Sequence, residues 1–178
     1  MEDSFFTFDQ EDAKALEKVL LPMIPVINRH LREEVSQQTG VTVVAYNDVS
    51  ELCYHMLAGT HEEFGDMVRR EAHEECARLE PFRQFQTSRA LYVDPKRMPE
   101  ARAIRVGYWR FGASGLNTGY NSDAGRNEPN VNEAVILYGL GVIKKISKAK
   151  VEEIMLSAHG MFDLYIWLSV LQGELNPL

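Results

Sequence analysis

Cysteine is scarce in this chain, with only Cys53 and Cys76 among 178 residues. They form no Cys-x-x-Cys spacing, so no structural zinc site is read from the sequence. Both lie in apolar-patterned stretches, where free cysteine is usually buried, so two buried thiols in a reducing compartment are expected. Positive charge is also short. Nineteen Lys and Arg face 26 Asp and Glu, giving a net charge of −7. So acidic a chain does not bind nucleic acid by general phosphate neutralisation. The local run Lys144, Lys145, Lys148 and Lys150 reads as a solvated helix end and the start of the next helix. No apolar run reaches the roughly 20 residues of a membrane span, and the stretch 161–171 is interrupted by Asp163. The opening MEDSFFTFDQED has no basic segment ahead of an apolar one, so no signal peptide is read there and a cytoplasmic location is expected. There is no internal repeat and no Gly-Lys-Ser/Thr phosphate loop. What is present, 45% hydrophobic and 25% charged residues, is the composition of a globular protein.

The patterning predicts helices at both ends and strands between. Asp9 is placed to cap a helix reaching residue 21, with Ala13, Leu16, Val19 and Leu20 on one face. Pro22 and Pro25 interrupt it. A second helix is expected over 25–38, with Ile27, Leu31 and Val35 as its stripe. VTVVAY at 41–46 reads as a buried strand. Asn47 or Asp48 is expected to cap a short helix holding Leu52, Cys53, Met56 and Leu57, which Gly59 ends. Thr60 and Glu63 have capping-box spacing and open a helix with Phe64, Met67, Val68, Ala72, Cys76 and Leu79 on its apolar face. Strands are expected over 87–93 and 101–111. In the second, Ile104, Val106 and Tyr108 point one way and Arg105 and Trp109 the other. Asn132 is placed to cap a helix to residue 146, against the weakening effect of Gly139 and Gly141. A last helix is expected over 147–172, apolar on most sides. The fold class that follows is α+β: a small, mostly antiparallel sheet packed with several helices, a single domain over 1–178, and a hydrophobic C-terminal helix.

The stretch GTHEEFGDMVRREAHEECARL, 59–79, holds Arg70-Glu71-x-x-Glu74-Glu75 with Glu62 eight residues before Arg70. It resembles the Arg-Glu-x-x-Glu-Glu core and upstream glutamate of the Nudix box. The resemblance implies a metal-dependent hydrolase of a nucleoside diphosphate compound. Glu71, Glu74 and Glu75 would be its metal-binding and catalytic carboxylates, with magnesium or manganese as the ion, since hard cations take clustered carboxylate oxygens. Arg70 would be a structural partner. The box's first glycine falls on Met56, its late glycine on Ala77 and the following hydrophobic residue on Arg78. The hydrolase is therefore the alternative expectation. As an ordinary amphipathic helix, the same residues are a solvated face.

The stretch GASGLNTGYNSDAGRNEPN, 112–130, has no helical or strand period. Loops this long in small domains are mostly functional or disordered. Asn121, Asp123 and Asn127 carry too few carboxylates for a calcium loop. Tyr120 and Arg126 are residue types enriched at binding hot spots. The leading expectation is a small, acidic binding or regulatory protein acting through protein–protein contacts, with a small ligand second. Contact is expected on exposed Trp109 and on Asn117, Tyr120, Asn121, Asp123 and Arg126. Met161, Phe162, Leu164, Tyr165, Ile166, Trp167, Leu168, Val170 and Leu171 cover nearly the whole circumference of the last helix. That leads to an expected homodimer with this helix in or near the interface.

Overall fold

In the computed structural model the described residues are 6–31, 37–60, 65–77, 79, 85–87, 103–116, 131–156 and 161–178. The chain enters through α1 (Gln10–Leu20). Asp9 Oδ1 accepts from the N–H groups of Glu11 and Asp12 at 2.8 and 2.9 Å, and Asp12 Oδ2 accepts from the Asp9 N–H at 3.0 Å. This reciprocal box satisfies backbone donors that a helix start leaves unpaired. Ala13, Leu16 and Leu20 turn inward, as their spacing predicts. After Pro22 the chain re-forms as α2 (Met23–Arg29), which tolerates Pro25 within its first turn. The expected extension of this helix to residue 38 falls partly outside the described residues.

Five antiparallel strands follow: β1 (Gly40–Asn47), β2 (Cys53–Gly59), β3 (Phe85–Thr87), β4 (Ala103–Val106) and β5 (Trp109–Ser114), in the sheet order β2-β1-β5-β4-β3. Two expectations are corrected here. The segment after Asn47 is a strand, not a helix. Asn47 does use its side chain as a cap, with Oδ1 accepting from Val49 and Ser50 N–H groups at 2.9 Å each, but it caps a turn. Glu51 adopts φ 59°, and the chain returns antiparallel with Tyr46 opposite Cys53. Turn and helix start use the same Asx chemistry, so the local signal alone does not separate them. Likewise 101–111 is not one strand. Gly107, at φ 58°, and Tyr108 form a two-residue turn, and Val106 pairs with Trp109. Directly opposed residues share a face. Trp109 therefore lies with Ile104, Val106 and Phe111, and Arg105 with Arg110.

The sheet is covered on both sides. On one face α3 (Gly65–Ala77) crosses β1 and β5, burying Val44, Ala72 and Cys76. On the other, α1 and α2 pack with α4 (Val131–Val142), α5 (Lys148–Leu156) and α6 (Met161–Glu174) over Val43, Ala45, Met56, Ile104 and Phe111. The expected last helix covers α5 and α6, and residues 157–160 between them lie outside the described residues. Among the helices on this face, α4 is the central one, with residues 131 to 140 all buried. It stays helical through Gly139 because burial outweighs propensity. Leu16 occupies the space a side chain there would need, 2.5 Å from where a Cβ would sit. The Tyr138 hydroxyl donates to the Asn176 carbonyl at 3.0 Å and accepts from the Asn176 N–H at 2.9 Å, holding the end of the chain on α4. At the edge of the sheet, Glu17 of α1 accepts the Leu57 N–H of β2 at 3.1 Å. No helix among the described residues is long and apolar enough to cross a membrane.

The ends of α2 and α6 are joined by charge. Glu174 accepts from Arg29 and from His30, and the hydrogen bond from His30, then that from Arg29, holds its pKa below the ordinary glutamate value of 4.5. A carboxylate depressed on folding stabilises above its unfolded pKa and loses that contribution as pH falls through the folded one. The melting temperature should accordingly decline on acidification below about pH 4.5. Glu174→Gln should flatten part of that decline while changing the neutral-pH melt little, as its site is solvent-screened.

Candidate functional site

Trp109 is not an exposed contact. It is 3% exposed, packed among Phe8, Tyr54 and Phe111, with the Tyr54 ring stacked at 5.8 Å between centroids. The hairpin parity described above is the cause. Of the expected binding stretch 112–130, Gly112, Ala113 and Ser114 are the end of β5. Asn117, Tyr120, Asn121, Asp123 and Arg126 lie outside the described residues. Asn132 Nδ2 donates to the Leu116 carbonyl at 3.1 Å, tying together the chain on either side of that stretch.

The helix carrying the carboxylates rests directly on the sheet. A Cβ at position 112 would lie 2.2 Å from the Ala72 carbonyl oxygen, so only glycine admits this approach. Glu71 turns toward β5, where it accepts from Ser114 Oγ at 2.6 Å. Glu74 lies on the exposed side, 3.8 Å from Arg70 in an i, i+4 pair. These two carboxylates serve different surroundings. Glu62 and the Glu75 side chain lie outside the described residues.

At the other end of the same face sits a buried charge network. Arg105, 1% exposed, donates to the Gly107 carbonyl at 3.1 Å and pairs with Asp48. Arg110 pairs with the other Asp48 oxygen, donates to the Cys76 carbonyl at 2.8 Å, and lies 5.0 Å from the Tyr46 ring centroid. One carboxylate thus bridges two guanidinium groups on adjacent strands.

Three further side chains meet between α3 and the edge strand β2. Cys53 and His55, two apart on the strand, share a face, and His73 reaches them from the helix. His55 Nε2 is 2.7 Å from His73 Nε2 and 4.0 Å from Cys53 Sγ. The ring centroids are 4.9 Å apart. Cys53 is only half-buried, unlike the expected buried thiol, while Cys76 is buried and donates to the Val44 carbonyl at 3.6 Å. Burial raises the Cys53 pKa. Burial, followed by the charges of His73 and Arg69, lowers that of His55. Read as a helix, residues 53 and 55 would diverge by about 200°, which is why the sequence pattern did not bring them together.

An open concavity lies between α5 and α6, a groove of about 710 Å³ lined by Val151, Met155, Leu156, Tyr165 and Leu168. Leu156 is 73% and Tyr165 57% exposed, while Leu164, Trp167, Leu168 and Leu171 face the core. No protein-family model, curated protein or solved structure matches the chain.

The charge network makes a direct stability test. Removing one partner of a buried pair leaves charge uncompensated. Asp48→Asn should cost about 3 kcal/mol, seen as a lower urea midpoint with an unchanged denaturant slope.

Proposed function

We propose that this chain works by binding a protein partner, with the groove between α5 and α6 as the contact surface. The observation that carries this reading is the pair of exposed apolar side chains, Leu156 and Tyr165, at the lips of an apolar groove. Scattered exposed apolar residues are ordinary, whereas a contiguous patch beside a concavity is a feature of contact sites. A cleft between two helices suits an amphipathic helix laid along it, with side chains at i, i+3, i+4 and i+7 as anchors. Lys148, Glu152 and Gln172 supply polar groups around the groove. A second copy of the chain is the other reading that this surface favours. It carries both a groove and a protruding Leu156, and a twofold interface requires such self-complementarity. Asn117, Tyr120, Asn121, Asp123 and Arg126 remain a proposed second contact, between the joined points Leu116 and Asn132. The metal-dependent hydrolase draws no support from Glu71 and Glu74, since one is turned to Ser114 and the other to Arg70.

Leu156→Glu with Tyr165→Glu should abolish both self-association and partner capture. Both side chains are exposed, so the melt should shift by no more than about 0.5 kcal/mol. The checks are sedentation-equilibrium or light scattering at micromolar concentration, and crosslinking from a photoreactive group at position 165. Unchanged association in the double variant would refute the groove as the contact.

A further inference from the structure

We infer that Cys53, His55 and His73 form a binding site for a borderline transition-metal ion, with zinc(II) the best match to the donor set. Three observations carry this. First, the donor atoms of all three side chains lie within 4.8 Å of one another. Second, they come from two regular elements, a strand and a helix packed on the same sheet, so no loop has to fold to assemble them. Third, the two imidazole Nε2 atoms are directed at each other at 2.7 Å.

The donor set selects the class of ion. One thiolate and two neutral imidazoles suit zinc, cobalt or copper rather than magnesium or manganese, which take oxygen ligands. Zinc bonds of about 2.0–2.1 Å to nitrogen and 2.3 Å to sulfur, at tetrahedral angles, require separations of roughly 3.3 Å between nitrogens and 3.6 Å between nitrogen and sulfur. The observed nitrogen–nitrogen distance of 2.7 Å is shorter than this and the nitrogen–sulfur distance of 4.0 Å longer, each by about half an ångström. Small ring rotations at the surface are enough to meet them. Without an ion, one ring donates its Nε2–H to the other. On binding, that ring carries its proton on Nδ1 instead, both Nε2 lone pairs turn to the metal, and the Cys53 thiol releases one proton to solvent as its sulfur–metal bond forms. No oxidant or reductant is needed.

Three protein ligands leave a fourth position for water or an incoming group, the pattern of an open zinc site. The nearby cation Arg69 is paired with Asp66 at 2.8 Å, which offsets its charge. The site is separate from the α5–α6 groove and stands or falls independently of it.

The test uses the full chain, stripped with a chelator and titrated with zinc or cobalt. One equivalent should bind saturably and raise the melting temperature, because an ion that binds only the native state stabilises it. The cobalt form should show a near-ultraviolet thiolate-to-metal charge-transfer band. Cys53→Ser should abolish that band, and His73→Gln should weaken affinity by at least about tenfold. His30→Gln, remote from the cluster, should leave both readouts unchanged. Circular dichroism of each variant would confirm that it is folded. Absence of saturable zinc or cobalt binding by the wild-type chain would overturn the assignment. So would binding that survives Cys53→Ser and His73→Gln in folded protein.

Discussion

The close approach of α3 to β5 at Gly112 governs the chemistry of one whole face of the sheet. With the helix backbone seated against the strand, neighbouring side chains have no freedom to choose partners. Glu71 meets Ser114, Cys76 meets Val44, and His73 is delivered to His55. Any residue with a Cβ at position 112 would lift the helix and loosen all three contacts together. Interiors pack densely and pass on such displacements rather than absorbing them. A single small residue in the sheet therefore sets the position of a helix and everything attached to it.

The two faces of the sheet are built from different physics. The face under α1, α2, α4 and α6 is aliphatic and aromatic, and its stability comes from removing apolar surface from water. The face under α3 is mixed, with a small apolar patch between charged and polar groups. Arg105 and Arg110 sit opposite each other across β4 and β5, a like-charge pairing that would repel. Asp48, on the turn after Asn47, converts it into a bridge. The hydrogen bond from the Asp48 N–H to the Tyr108 carbonyl, at 2.9 Å, ties this turn to the β4–β5 turn as well. Two hairpins that are distant in sequence are thereby locked end to end.

Much of this architecture was legible in the residues, and the losses have definite causes. The α1 cap, the strand 41–46, the helix under Ala72 and Cys76, and the α+β class follow from periodicity and capping chemistry. The failures cluster at two turns. After Asn47 the residues alternate as Cys53, His55 and Leu57 against Tyr54, Met56 and Ala58, but both sets hold apolar groups, so the period of two is faint. At Gly107-Tyr108 the turn is short and only one of its residues is a usual turn former. Each error reversed the side of the chain on which a key residue lies. The one-strand reading places Trp109 in solvent when it belongs to the core, and the helix reading separates Cys53 from His55. The contact of His73 with His55 spans distinct elements, and no local pattern encodes it.

The bond from Glu17 to the Leu57 N–H has a consequence for how the molecule avoids its own kind. β2 is an edge strand, and the open backbone groups of such strands are templates for another chain. Here a helix side chain occupies one of those donors with a negative charge. A strand arriving from a neighbouring molecule would have to displace α1's carboxylate to pair at Leu57. One exposed acid thus blunts this edge at Leu57 against strand addition.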